Sequence, residues 1–276
     1  MTKITAAAVK SLRERTGLPM MECKNALQET GGNEDAAVEM LRKQGKKTME
    51  TRAGRETAFG RLAIFTDMDH AIGAMVELRC ESAPVSTSDD FTAFANDLAK
   101  QLALGPGASA PEELLKQPSP SDPSKTLGEV QDGLTNRMRE VLKLTRMVRI
   151  DGRCGGYAHH TGSPSVLIEV EGGTPELAKD VSMHIASQNP EVVRKEDLDA
   201  AAIAKEREIL SEAARKEGKP EKIIEKMVDG RMRTFYESKV LCEQPFIKDD
   251  KLTVGQFAEQ GGMKILRFVR WTLDKT

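Results

Sequence analysis

The feature that constrains this chain most is an order of strands and a helix that occurs twice. In the first copy, two runs that alternate apolar with polar residues lie at 61–66 and 71–80, joined by a short polar turn. An amphipathic helix over about 91–104 follows, and its apolar spacing would cover one face of a sheet. This order is typical of an α+β unit with antiparallel strands.

The second copy has candidate strands within 147–162 and 165–173, again followed by a helix. Aligning the two helices without gaps sets 94–103 over 177–186, with three identical positions and three further positions that are apolar in both. The alignment predicts two related α+β core halves.

Residues ahead of the core predict a compact three-helix unit. Thr5, Pro19 and Asn33 stand where helices begin, and Gly45 is expected to end the third. A basic, polar segment links this unit to the core. The predicted domains are 1–50, 55–145 and 146–276.

Met20 and Met21 begin the second helix of this unit. The helical spacing places Met20 on the inner stripe with Cys23, Ala26 and Leu27, so one methionine is expected in the core. The other would then be exposed, either as an adaptable apolar contact for a partner or as a loosely packed surface side chain.

The second half carries an insertion at about 196–240 that is rich in charged residues. It contains two helical stretches joined at 218–220, which predicts a projecting antiparallel helical hairpin with a narrow apolar seam. The expected seam residues are Ile203, Ile209, Leu210, Ala213, Ile223, Ile224, Met227 and Val228.

Composition excludes several classes of function. A formal charge of −2 and 4% aromatic residues argue against direct nucleic-acid binding and base stacking. No apolar run approaches the roughly 20 residues of a membrane span. Four widely separated cysteines are typical of reduced thiols, so we expect a soluble, cytoplasmic protein without a membrane partner.

Histidines and cysteines give the only candidate for chemistry. Cys154, His159 and His160 could supply two or three metal ligands, but no fourth donor stands at a recognisable spacing. Surface hydrogen bonding or contact with a partner is the favoured interpretation. His70 is expected at an exposed turn and His184 in a partly buried helix position. The sequence predicts no catalytic residue, metal or cofactor.

Several longer motifs resemble one family. The run VKSLRERTGLPMMECKNALQETGGNEDAAVEMLRKQG, the motif YAHH, and the run GKPEKIIEKMVDGRMRTF with the later QPFIKDD and TVGQF are similar to bacterial elongation factor Ts. The resemblance extends over nearly the whole chain. It implies a ubiquitin-associated-like N-terminal domain. It also implies a guanine-nucleotide exchange factor that binds elongation factor Tu with GDP, promotes GDP release by disturbing the magnesium and phosphate site, and is not an enzyme.

The resemblance also implies contact residues. Family members carry a Cys-Glu-Thr-Asp-Phe-Val loop whose phenylalanine wedges between two helices of elongation factor Tu. This chain has Ser82, Ala83, Pro84 and Val85 at the last four positions. Further implied contacts are Met20 and Met21 in the N-terminal domain, and Tyr157 and His159 in the second core half.

The altered loop leaves a second functional interpretation open. A paralogue that binds elongation factor Tu as a scaffold or chaperone, with weakened exchange, would also fit the change to Ala83 and Pro84. The resemblance further implies that the helical hairpin can mediate a homodimer.

Overall fold

The computed structural model describes residues 4–52, 54–216 and 220–273. The helices are α1 Ala6–Thr16, α2 Met20–Glu29, α3 Glu34–Arg52, α4 Ala83–Ser86, α5 Asp89–Leu104, α6 Pro111–Leu115, α7 Leu127–Met138, α8 Pro175–Gln188, α9 Ala200–Lys216, α10 Glu221–Lys239 and α11 Val254–Gln260. The strands are β1 Phe59–Asp67, β2 Ile72–Cys80, β3 Lys143–Ile150, β4 Cys154–Ala158, β5 Ser165–Gly172, β6 Pro245–Phe246, β7 Asp249–Thr253 and β8 Met263–Trp271.

The N-terminal unit has the predicted three helices. The Thr5 hydroxyl accepts from the Ala8 backbone N–H at 3.2 Å and caps α1, and Leu12, Cys23 and Leu27 are among its fully buried residues. The expectation that Gly45 ends the third helix was wrong, since α3 continues to Arg52. One glycine costs a helix about 1 kcal/mol, and the flanking lysines, glutamate and glutamine are good helix formers.

The two core halves each contain an antiparallel three-stranded sheet. The strand orders are β1-β2-β3 and β4-β5-β8. The strand pairs β1–β2 and β4–β5 are the predicted ones, and each is followed by a covering helix, α5 or α8. The expected α+β architecture is therefore confirmed.

Strand β3 departs from the prediction. Residues 147–150 were expected in a strand pair of the second half, but they belong to β3, which pairs with β2 of the first sheet. The strand also runs across the predicted boundary between 145 and 146. Local alternation identifies a strand but carries no information about its neighbour, which depends on long-range pairing.

The core is built in four layers. Alternate residues of β1 and β2, such as Ala63 and Leu78, pack under α5, and those of β5, such as Ile168, pack under α8. The opposite faces of the two sheets meet through a cluster that includes Met75 and Leu167. The sheets therefore pack face to face, with one helical layer outside each.

The connection between α5 and β3 is ordered. Its proline-rich stretch 105–123 contains α6, and Leu114 is fully buried in the first core. Helix α7 ends at Met138 because Arg139 adopts a left-handed φ of 58°. Val141 and Leu142 follow this turn and are buried just before β3.

The inserted hairpin is formed by α9 and α10, as predicted. The residues of its apolar seam differ from the expected ones: Ile209, Ala213 and Ile223 were predicted to lie in the seam but are exposed. The apolar residues that pack between the helices are Ile203, Leu210, Ala214, Ile224, Val228, Met232, Phe235 and Tyr236. Within 218–220, only Pro220 is among the described residues. In the described residues, no helix is long and apolar enough to cross a membrane.

Candidate functional site

The chain forms a short, exposed helix directly after β2. Ser82 stands at the N-cap position and Pro84 lies in the first turn, where its missing N–H costs no hydrogen bond. Ala83 and Pro84 are exposed, whereas Val85 packs against the first core. The four predicted contact residues, 82–85, therefore form a small apolar protrusion, which we call the α4 segment.

Glu140 holds the base of the α4 segment. Its Oε2 accepts from the backbone N–H groups of Glu81 and Ser82, at 3.1 and 3.0 Å. Its Oε1 accepts from the Ser82 hydroxyl. Glu140 lies 58 residues from Ser82, so no local sequence pattern could have identified it. Three hydrogen bonds to one carboxylate fix the start of the segment.

Glu81 makes the reciprocal contact. Its Oε1 accepts from the Val141 backbone N–H at 2.8 Å, and its Oε2 lies 3.0 Å from the Arg55 guanidinium. The carboxylates of Glu81 and Glu140 therefore tie the two chain segments together in both directions. This double clamp makes the α4 segment a fixed protrusion.

The Cys80 thiol lies beneath the segment and is chemically inert. Burial, together with the negative charge of Glu140, raises the pKa of Cys80 to about 12. The thiol is therefore protonated at neutral pH, and its Sγ lies 3.3 Å from the Ser82 carbonyl oxygen, to which it donates. Cys80 contributes packing and one weak hydrogen bond.

The second predicted contact region is the loop between β4 and β5, residues 159–164, which we call the histidine loop. His159 Nδ1 lies 2.7 Å from the Thr161 hydroxyl, and its ring meets the Tyr157 ring edge to face at 6.0 Å. His159 is half-buried, the neighbouring His160 is exposed, and Tyr157 packs partly against the second core. The loop therefore carries two neighbouring imidazoles, with ring centres 4.3 Å apart, on an ordered turn.

The histidine loop is attached to the outer edge of β1. The Leu62 backbone N–H donates to the Gly162 carbonyl at 2.9 Å, and the Arg61 guanidinium donates to the His160 carbonyl at 3.3 Å. The other edge of β1 pairs with β2, where Phe59 is opposite Cys80. The start of β1 therefore lies between the α4 segment and the histidine loop and brings the two regions onto one surface.

Comparison with known proteins gives one family. The family model described as "Elongation factor TS" matches residues 81–275. A protein named elongation factor Ts from Methylococcus capsulatus is 42% identical over 275 residues, covering 99% of this chain and 92% of its own length. Proteins of the same name from Alkalilimnicola ehrlichii and Prosthecochloris aestuarii are 42% and 38% identical and also cover 99% of this chain.

The chain belongs to the elongation factor Ts family. The family model begins at Glu81 and so excludes the N-terminal unit and the first strand pair, but the relatives extend through both. Both the α4 segment and the histidine loop lie inside the matched range.

In this member of the elongation factor Ts family, both methionines of α2 are exposed. Met20 is 54% and Met21 62% exposed, so the expectation that one is buried was wrong. The helix begins only at Met20, and Leu18, just before it, fills the core position instead. Glu22, in the same first turn, forms an ion pair with Arg139 of the core, which holds this surface against the first half.

The structure does not assemble the metal site considered for this family member. Cys154 is buried at the start of β4, and burial raises its pKa to about 12, whereas His159 lies beyond the end of that strand. No group of three His, Cys, Asp or Glu side chains in the described part of the chain could hold a metal ion. His70 is exposed at its turn beside Asp67, as predicted.

Proposed function

We propose that this protein is the guanine-nucleotide exchange factor of elongation factor Tu, acting in the cytoplasm through surface contacts and without bond-breaking of its own. The observation that best supports this proposal is the α4 segment, a fixed apolar protrusion held by Glu81 and Glu140 on a chain of the elongation factor Ts family. A rigid protrusion can change the shape of a partner's pocket because little binding energy is lost in ordering it.

The proposed mechanism is negative coupling between two ligands of elongation factor Tu. When the α4 segment displaces groups that hold magnesium and phosphate, the affinity for GDP falls. By thermodynamic linkage, bound nucleotide weakens the affinity for this protein by the same factor. GTP binding then releases the factor and completes the cycle.

Three separate surfaces would contribute to the complex. They are Met20 and Met21 on the N-terminal unit, the α4 segment, and Tyr157 with His159 at the histidine loop. Distributed contacts suit a partner that must be bound tightly when nucleotide-free and released afterwards, because each surface alone is small.

The test is the release of fluorescent GDP from elongation factor Tu of the same cell, with and without this protein. We expect faster release, and an affinity for GDP that is lower by about 5–150-fold in the complex. The variant Pro84→Phe, with the larger wedge, should release GDP faster than the natural chain. A complex that forms tightly but leaves GDP release unchanged would favour the scaffold function instead.

A matched pair of variants tests the clamp. Glu140→Gln keeps the shape of the side chain but weakens its hydrogen bonds to Ser82, so the α4 segment should become mobile and exchange slower. Glu169→Gln makes the same chemical change on the second sheet, away from this surface, and should leave exchange unaltered. Equal effects of the two variants would contradict a role for the clamp.

We also propose that the hairpin of α9 and α10 carries a contact between two copies of the chain. Ile209 and Ile223 are half-exposed on its surface and would be covered in such a dimer. Sedimentation of the natural chain and of the Ile209→Ser, Ile223→Ser variant would decide this. A monomeric natural chain would overturn it.

A further inference from the structure

The surface between the α4 segment and the histidine loop carries one large apolar side chain that the family resemblance does not assign. Phe59, the first residue of β1, is 45% exposed. The exposed side chains of the α4 segment, Ala83 and Pro84, are small by comparison and can bury little area.

The register of β1 brings Phe59 beside the α4 segment. Phe59 pairs with Cys80, and antiparallel partners have Cα atoms about 4.5–5.5 Å apart. Side chains alternate along a strand, so Phe59 shares a sheet face with Ala63, which packs under α5 in the same core cluster as Cys80. The short helix α4 itself packs on β1 and β2.

The backbone on both sides of Phe59 is fixed. The Ala58 carbonyl accepts from the Arg79 guanidinium at 3.4 Å. On the other side, a Cβ on Gly60 would lie 2.4 Å from the Leu78 carbonyl oxygen, so the strands approach more closely there than another residue would allow. A half-exposed ring on such a rigid strand end has little conformational entropy to lose on binding.

The histidine loop extends the same surface on the far side. Two residues after Phe59, the Arg61 guanidinium donates to the His160 carbonyl. The next residue, Leu62, donates its backbone N–H to the Gly162 carbonyl. Phe59 therefore lies between the two regions that the proposed function assigns to partner contact. Buried aromatic side chains at the centre of an interface usually contribute most of its binding energy.

We propose that Phe59 is the main apolar anchor between the core and elongation factor Tu, filling an apolar crevice of that partner while Ala83 and Pro84 line its side. This inference rests on the proposed function, since it names a residue of the same contact surface. Phe59 touches the partner and not the nucleotide, so it acts on exchange through affinity for the partner.

The test is the affinity of Phe59→Ala for nucleotide-free elongation factor Tu, measured by titration calorimetry. We expect binding that is about 30-fold weaker or more, the usual effect of a central aromatic anchor. Phe59→Tyr should stay within about threefold of the natural chain, because it keeps the ring. The matched control is Leu104→Ala, which removes an exposed apolar side chain, 53% accessible, at the far end of α5. It should change affinity less than twofold.

The outcomes separate the two proposals. If the natural chain does not bind elongation factor Tu, the proposed function fails. If the natural chain binds and accelerates GDP release but Phe59→Ala binds equally well, only the role of Phe59 is overturned. Equal losses for Phe59→Ala and Leu104→Ala would also overturn it. Unfolding midpoints of all variants show whether a loss comes from misfolding, and Phe59→Tyr then provides the readout in a folded chain.

Discussion

The two core sheets carry the same charged pair at the same place. In the first sheet, Glu77 is opposite Arg146 immediately before a β-bulge, and in the second sheet Glu169 is opposite Arg267 immediately before another. The distances are similar, with each arginine Nε 2.6 Å from its carboxylate. The strand register is therefore the same in the two halves at this position, including the ion pair and the bulge that follows it.

The surroundings of the two pairs differ. Glu77 is buried at 3% exposure and also accepts from Arg79 at 2.5 Å and from the hydroxyl of Thr145, the bulged residue, at 2.8 Å. The bulged residue of the second sheet, Leu266, has no hydroxyl. The side chains of Glu169 and Arg267 are 18% and 60% exposed, against 3% and 38% for Glu77 and Arg146. Burial and the number of partners therefore decide how much such an ion pair contributes to stability, more than the presence of the pair itself.

A second pair of equivalent positions shows the same kind of divergence. Gln101 of α5 aligns with His184 of α8, and each side chain meets a glutamine from a later segment. Gln101 Nε2 donates to Gln117 at 3.0 Å, and His184 Nε2 lies 2.9 Å from the Gln244 amide oxygen. The second half therefore has a titratable group where the first has a neutral amide.

The largest expected effect comes from breaking the buried pair. Glu77→Gln removes the buried carboxylate that Arg79 and Arg146 share, which should lower the free energy of unfolding by about 3–5 kcal/mol. The matched change on the more exposed pair, Glu169→Gln, should cost no more than about 1 kcal/mol. Urea unfolding followed by circular dichroism measures both, and equal losses would contradict the argument from burial.

The pH dependence of stability should differ between the halves. Burial lowers the pKa of His184 below its ordinary 6.5, and the hydrogen bond with Gln244 only partly offsets this. The folded chain therefore holds His184 neutral, while the unfolded chain binds a proton below about 6.5. Titration of His184 therefore does not affect the free energy of unfolding above about pH 6.5. Below that pH the free energy of unfolding decreases, by up to about 1.4 kcal/mol per pH unit.

His184→Gln, which copies the amide of Gln101, should remove this dependence. Urea unfolding of both chains between pH 7.5 and 5.5 makes the comparison. Equal losses of stability in the two chains would show that another group titrates in this pH range.

Glu77 acts at lower pH: burial raises its pKa, but hydrogen bonds from Arg79, Arg146 and Thr145 outweigh that and lower it below 4.5. Its contribution is therefore lost only as pH falls below about 4.5.

The smallest expected effect concerns the contact between the halves at the buried pair. The Arg146 guanidinium lies 4.7 Å from the centre of the Trp271 ring, on the last strand of the second sheet. Trp271→Leu keeps an apolar side chain but removes this cation–π contact, so we expect a loss of about 0.5–1 kcal/mol. Trp271→Phe keeps a ring and should lose less. Chemical unfolding of the two variants would show no difference if the contact were only apolar.

Much of the fold could be predicted from local patterns, and the site could be predicted only in part. The strand pairs, covering helices and three-helix unit follow from spacing and capping residues within short stretches. The partners of 82–85 could not be predicted, because Glu140 is remote in sequence. The predicted burial of Met20, Ile209 and Ile223 was also wrong. Helical spacing identifies the apolar face of a helix, but it does not show which turns of that face contact a neighbouring element.

Local sequence patterns and the family resemblance predicted the family, the two strand pairs with their covering helices, the three-helix unit and the helical hairpin. The folded chain was needed to show that β3 joins the first sheet, that Glu77 is more deeply buried than Glu169, and that Phe59 lies between the α4 segment and the histidine loop. Periodicity and capping act over a few neighbouring residues, whereas strand pairing and burial depend on groups that only folding brings together.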